Sequence, residues 1–66
     1  MNITINGTAE ILAEGATVAM LLEQRGLTGK RVAVEKNGEI VPKSTHATTA
    51  VRDGDQLEIV IAVGGG

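Results

Sequence analysis

Cysteine, phenylalanine, tyrosine and tryptophan are all absent from this chain of 66 residues. Without cysteine there is no disulfide, and no thiol side chain can act as a nucleophile, a metal ligand or a sulfur carrier. Without aromatic residues there is no platform on which bases stack and no aromatic cage for a cationic ligand. The core must therefore be aliphatic, and recognition of small molecules has little support.

Charge and length exclude further classes of protein. Six basic and eight acidic residues give a formal net charge of −2, which provides no basic surface for nucleic acid or for an anionic membrane. The start of the chain lacks the features of a secretory signal, and no apolar segment is long enough to cross a bilayer. We expect a cytoplasmic protein. We expect no metal site either, because His46 is the only histidine, and a surface or connector position suits it better.

Two Asn-Gly dipeptides, Asn6-Gly7 and Asn37-Gly38, each follow a segment in which apolar and polar residues alternate. Asn-Gly provides the two positive-φ positions of a type I′ turn, so each dipeptide predicts a β-hairpin. The second arm of the first hairpin covers residues 8–12. The second hairpin pairs residues 31–36 with 39–41, and Pro42 ends it.

Between the hairpins the apolar period lengthens to that of a helix, beginning at Val18. Thr17 is placed to cap the first turn, and Gly26 suits the left-handed position that ends a helix. The spacing of Val18, Leu21 and Leu22 puts them on one face, which predicts that a single apolar stripe packs on a sheet.

The remaining segments predict a polar connector over residues 43–49, a tight turn over 52–55 and a last, longest strand over 56–63. A strand that follows the helix and is rather apolar on both faces should lie in the middle of the sheet, beside the first strand. The order of elements therefore predicts an α+β domain of the β-grasp, or ubiquitin-like, class, in which a mixed sheet of four to five strands packs one helix. We expect the domain to cover residues 1–63 and a flexible glycine tail to cover 64–66.

Alternation divides the last strand between two faces. Leu57, Ile59, Ile61 and Val63 should face the helix, and Gln56, Glu58, Val60 and Ala62 should face the other way. Val60 and Ala62 then place apolar surface where water is expected, and Ala33 on a neighbouring strand extends it. This face is a candidate partner-binding surface, although a central strand also tolerates single apolar residues of this kind.

The chain closes with Gly64, Gly65 and Gly66. Three terminal glycines have no packing role, and a frayed end is one interpretation. The functional interpretation is that a segment without Cβ atoms threads a narrow channel of a partner protein and presents its terminal carboxylate there.

Taken together, these features resemble the ThiS/MoaD family of sulfur carriers, and its thiamine branch in particular. The resemblance covers the whole length. It rests on the opening residues 1–7, the helix from Val18, the segment 37–42, the turn 53–55 and the final Gly65-Gly66. The additional Gly64 departs from the usual diglycine end and leaves the chemistry unchanged.

The resemblance implies a carrier that binds no cofactor and is a substrate rather than an enzyme. A ThiF-like enzyme would use ATP to adenylate the carboxylate of Gly66, a persulfide from a cysteine desulfurase would supply sulfur, and the thiazole synthase ThiG would receive it from the thiocarboxylate. Gly64 and Gly65 would thread the partner's active site. Partners in this family bind the sheet face beside the tail, here Val60 and Ala62.

The acidic residues of the last turn and strand have two interpretations. Glu58, Asp53 and Asp55 provide acidic groups for a basic partner. A solvated turn explains the two aspartates at least as well, and we favour it.

Three alternatives remain open. A MoaD-like carrier for molybdopterin synthesis shares the fold and the diglycine, but its chains are usually longer and richer in aromatic residues. A ubiquitin-like modifier would join its terminal glycine to lysines, and Lys30, Lys36 and Lys43 would then extend chains. A plain interaction domain would not need its tail at all.

Overall fold

The computed structural model describes residues 1–62. In this part of the chain the elements are β1 (Asn2–Ile5), β2 (Thr8–Ile11), α1 (Val18–Gln24), β3 (Val32–Lys36), β4 (Glu39–Val41), a 3₁₀ turn (Lys43–Thr45) and β5 (Gln56–Ile61). The five strands form one sheet in the order β2-β1-β5-β3-β4. Strand β5 runs parallel to β1 and antiparallel to β3. The predicted mixed sheet, with the last strand at its centre beside the first, is confirmed.

Both predicted hairpin turns have the expected backbone. Asn6 and Gly7 have φ values of 51° and 81°, and Asn37 and Gly38 have values of 52° and 85°. Two consecutive positive-φ residues match the right-handed twist of the flanking strands, which is why Asn-Gly favours hairpins. These turns fix the register of β1 with β2 and of β3 with β4.

The side chains of the two turn asparagines hold the central strand from either side. Asn6 donates from Nδ2 to the carbonyl of Ile59 at 3.1 Å, and its Oδ1 accepts from the Ile59 N–H at 2.8 Å. Strand β1 ends at Ile5, so the Asn6 carboxamide forms with Ile59 the two hydrogen bonds that a further strand residue would form with its backbone. Asn37 accepts the Gln56 N–H at 2.9 Å on the other side of β5.

Both ends of α1 are capped as predicted. The Thr17 hydroxyl accepts the Met20 N–H at 3.2 Å. At the other end Gly26 has a φ of 72°, and the Leu27 N–H donates to the Leu22 carbonyl at 2.8 Å in the pattern of a Schellman motif.

Among the described residues, no helix has the length and apolar character needed to cross a membrane.

The connector after β4 completes the N-terminal cap of α1. The Val18 N–H donates to the Thr49 carbonyl at 3.0 Å, and the Ala19 N–H donates to the His46 carbonyl at 2.8 Å. The expected connector position of His46 is confirmed, but its side chain is buried, with an exposed fraction of 8%. It is buried because the ring reaches back under the connector, where Nε2 lies 3.1 Å from the Val41 carbonyl and donates to it.

The core lies between α1 and the sheet and is aliphatic. Val18, Leu21 and Leu22 of α1 are all buried, as the helical spacing predicts. The buried cluster consists of Ile3, Ile5, Leu12, Ala16, Val18, Leu21, Leu22, Val34, Val41, Val51, Leu57 and Ile59. Val51 has no periodic neighbours in the sequence and was not predicted.

The inner face of β5 is only partly covered. Leu57 and Ile59 are buried, but Ile61, predicted to face the helix with them, is 45% exposed. The seven residues of α1 extend about 10 Å, whereas the six residues of β5 extend about 20 Å, so the helix cannot cover the whole strand. Val63, predicted for the same face, lies outside the described residues.

Candidate functional site

The predicted apolar surface is present on the sheet face opposite α1. Val60 of β5 pairs directly with Ala33 of β3, and the Ala62 N–H donates to the Arg31 carbonyl at 2.9 Å. Val60 is 62% exposed, and Ala33 and Ala62 are exposed as well. The ladder therefore brings Val60, Ala62 and Ala33 together at the end of β5 that leads into residues 63–66. We call these three residues the outer patch.

An acidic pair lies beside the outer patch. Glu58 of β5 pairs directly with Glu35 of β3, and Glu35 pairs on its other side with Ile40 of β4. Ile40 is 76% exposed. Glu58 is predicted for this face from the sequence, whereas Glu35 and Ile40 were not predicted. The signal was available, because β4 buries Val41 and alternation must then turn Ile40 outward.

The Glu35–Glu58 pair is not neutralised within the described part of the chain. Like charges directly opposite each other in a sheet are destabilising, typically by a few tenths of a kcal/mol to about 1 kcal/mol. Within residues 1–62 the one ion pair joins Arg25 to Glu10, at 3.7 Å, on the helix side of the sheet. A cationic group from another molecule would offset the repulsion between the two glutamates.

The two aspartates of the turn over residues 52–55 accept hydrogen bonds from other residues of the domain. Asp53 accepts the Asn2 N–H at 2.6 Å. Asp55 accepts the Arg52 N–H at 2.8 Å and Asn37 Nδ2 at 2.9 Å, and its exposed fraction is only 8%. The expected solvated turn is therefore wrong for Asp55, because both of its oxygens are bonded inside the protein. For the same reason it is not available to a basic partner.

The glycines predicted to carry the chemistry, Gly64, Gly65 and Gly66, lie outside the described residues, and so does the predicted domain boundary at residue 63. Their roles stay predictions. Within residues 1–62, no cluster of three or more His, Cys, Asp or Glu residues could hold a metal ion.

Comparison with known protein families assigns the chain to one of them. The model of the ThiS family matches residues 2–66. The chain belongs to the ThiS family. It is 38% identical to the sulfur carrier protein ThiS of Escherichia coli, over the whole of both chains. The crystal structure of a thiamine biosynthesis protein (ThiS) from Geobacter metallireducens superposes with a TM-score of 0.84 at 36% identity, again over the whole of both chains.

These matches confirm the β-grasp fold and the resemblance to the thiamine branch of sulfur carriers. Other ThiS-like sequences are found within larger proteins. The chain is 50% identical over all 66 residues to a thiazole synthase of Paramagnetospirillum magneticum, and 35% identical to one of Magnetococcus marinus. The chain spans 20% of the length of each of these two relatives.

Proposed function

We propose that this protein is a sulfur carrier of thiamine biosynthesis and that sulfur travels on the carboxylate of Gly66. The observation that carries the proposal is the match to the sulfur carrier of Escherichia coli, which covers all of both chains. A ThiF-like enzyme activates Gly66, a cysteine desulfurase provides the sulfur, and a thiazole synthase receives it.

The reaction begins with attack of the Gly66 carboxylate on the α-phosphorus of ATP, and pyrophosphate leaves. The product is an acyl adenylate, in which AMP is a good leaving group. A persulfide on a partner then attacks the acyl carbon and displaces AMP, forming an acyl disulfide. A second thiol of that partner cleaves the S–S bond, which leaves a thiocarboxylate on Gly66 and a disulfide on the partner. Because this chain has no cysteine, both thiols come from partners.

The outer patch is the proposed binding surface for the adenylating enzyme. Val60 presents an exposed aliphatic side chain in the middle of this surface, and Ala33 and Ala62 are small enough to let a partner approach. Burial of Val60 in a partner would contribute about 1.5 kcal/mol or more. The surface also lies at the end of β5 that leads to the glycines, so a partner bound there has the tail within reach.

The acidic pair provides a contact for a basic side chain of the partner, beside an outer patch that Arg31 and Lys43 also border. An arginine or lysine placed between Glu35 and Glu58 would interact with both carboxylates and remove their mutual repulsion. Such complementarity affects the association rate and the choice of partner more than the affinity. We therefore expect the adenylating enzyme to present an apolar area with a cationic side chain next to it.

The decisive experiment is intact mass spectrometry of the chain after incubation with ATP, the ThiF-like enzyme, a cysteine desulfurase and cysteine. We expect a mass gain equal to the exchange of one oxygen for one sulfur. A variant that lacks both Gly65 and Gly66 should keep its far-ultraviolet circular dichroism and show no gain. An unchanged mass of the intact chain would refute the proposal, and higher-mass conjugates through lysine would indicate a protein modifier instead.

A matched pair of substitutions tests the outer patch. Val60→Glu should lower the rate of adenylation about tenfold or more, because it places a charge in the apolar contact. Ile11→Glu is the control, since Ile11 is 86% exposed on the same sheet face but lies at the far edge, on β2. Equal rates for the two variants would show that the enzyme binds elsewhere.

A further inference from the structure

The two hairpin turns, Asn6-Gly7 and Asn37-Gly38, contain a reactive pair of groups. In an Asn-Gly sequence the backbone nitrogen of the glycine can attack the Cγ atom of the asparagine, because glycine has no Cβ to hinder the approach. The bond between Cγ and Nδ2 then breaks, and Nδ2 leaves as ammonia with the proton of the attacking nitrogen, which closes a succinimide ring. Water opens the ring at either carbonyl and gives aspartate or isoaspartate. Both turns are exposed, so water reaches them.

The folded chain holds both carboxamides away from this reaction. Attack requires the carboxamide to turn toward the backbone of the following glycine. The Asn6 carboxamide instead bonds the Ile59 carbonyl at 3.1 Å and the Ile59 N–H at 2.8 Å. The Asn37 carboxamide accepts the Gln56 N–H at 2.9 Å and donates to the Asp55 carboxylate at 2.9 Å. Ring closure at either turn must therefore break two hydrogen bonds first.

The products of the reaction do not fit the positions from which they arise. Both carboxamides use Nδ2 as a donor, and a carboxylate has no proton to donate. At position 37 the new carboxylate would face the carboxylate of Asp55, and at position 6 it would face the carbonyl oxygen of Ile59. Both arrangements destabilise the folded state. Isoaspartate adds a carbon atom to the main chain, which changes the turn that fixes the strand register.

We propose that Asn6 and Asn37 are modification sites that the fold protects, so that spontaneous deamidation occurs after the turns release β5 and then disfavours refolding. The reaction needs no enzyme and no co-reactant other than water. The two asparagines follow β1 and β3, the neighbours of β5 on its two sides, so protection requires the intact centre of the sheet. A converted chain therefore records an earlier opening of the sheet.

Ageing of the full chain in a mildly alkaline solution tests the protection. One sample is kept in buffer and one in unfolding concentrations of guanidinium chloride, and peptide mass spectrometry follows the exchange of NH for oxygen at each asparagine. Asn6 and Asn37 should convert at least about tenfold more slowly in buffer, because only the open molecules react. Asn2 is the internal control and should convert slowly in both samples, because the β-branched Ile3 follows it. Equal rates for Asn6 and Asn37 in the two samples would overturn the inference.

Substitutions test the consequence of deamidation. Asn6→Asp and Asn37→Asp reproduce the deamidated side chains, and each should raise the equilibrium constant for unfolding about tenfold or more. Gln24→Glu is the matched control, because it makes the same exchange of carboxamide for carboxylate at an exposed position of α1. It should change the constant less than about threefold. If the control and the two test variants have equal stability, the carboxamide donors are dispensable and the inference is overturned.

Discussion

Replacement of Asn6 by glycine removes a side-chain amide that joins the first turn to the central strand. Backbone pairing of β1 with β5 reaches Ile5 and Leu57, and the Asn6 side chain then bonds both the N–H and the carbonyl of Ile59. Glycine adopts the φ of 51° without strain, so the turn is retained. The substitution therefore isolates two hydrogen bonds between residues that are 53 positions apart.

The expected loss follows from these two bonds. Each neutral hydrogen bond contributes roughly 0.5–1.5 kcal/mol net, which gives a loss of about 1–3 kcal/mol in the free energy of unfolding. Glycine lowers the free energy of unfolding by a further amount of about 0.4–1 kcal/mol, because it has more conformational freedom in the unfolded chain. Part of this loss is recovered, because glycine adopts a positive φ more readily than asparagine does. For a domain of this size, the loss corresponds to a fall in Tm of about 5–20 °C.

Urea unfolding followed by far-ultraviolet circular dichroism measures the effect, since the chain has no tryptophan or tyrosine for fluorescence. Asn37→Gly is the parallel variant. It removes the bonds to the Gln56 N–H and to the Asp55 carboxylate, so its loss should be of similar size. A change below about 0.5 kcal/mol for Asn6→Gly would show that water replaces the carboxamide without cost and would refute the reasoning.

Three further substitutions test the fold. Thr17→Ala removes the acceptor for the Met20 N–H and should cost about 1 kcal/mol in urea unfolding, whereas Thr17→Ser should cost much less. Asp55→Ala leaves two part-buried donors without their acceptor and should cost about 1 kcal/mol or more, and an unchanged midpoint would contradict its structural role. Leu57→Ala, at a side chain that is 1% exposed, should cost about 2–5 kcal/mol, whereas Ile40→Ala should stay within about 0.5 kcal/mol if Ile40 serves only a partner.

Local signals in the sequence predict most of the elements. The two Asn-Gly turns, Thr17 and Gly26 each depend on the conformation of a few neighbouring residues, and each lies where the pattern predicts. The position of β5 in the sheet could also be predicted, because a rather apolar strand that follows the helix is more often central than at an edge. Alternation also predicts that Val60 and Leu57 lie on opposite faces of β5, whereas the pairing of Val60 with Ala33 depends on strand register.

Burial of individual polar groups could not be predicted in this way. His46 and Asp55 each lie in a polar segment, and each is buried because its side chain bonds a distant part of the chain. Glu35 gains its significance only opposite Glu58, a pairing set by the register of β3 with β5. Such contacts depend on where the elements meet, and no local pattern encodes that.

The sequence by itself determined the local features of this protein: a chain without thiol or aromatic side chains, two Asn-Gly turns, one capped helix and three consecutive glycines. These properties belong to single residues or to near neighbours, so composition and spacing reveal them. Only the tertiary structure decided which groups surround the end of β5. Val60 lies beside Ala33, and Glu58 beside Glu35, because the register of β3 with β5 brings together residues that are far apart in the chain.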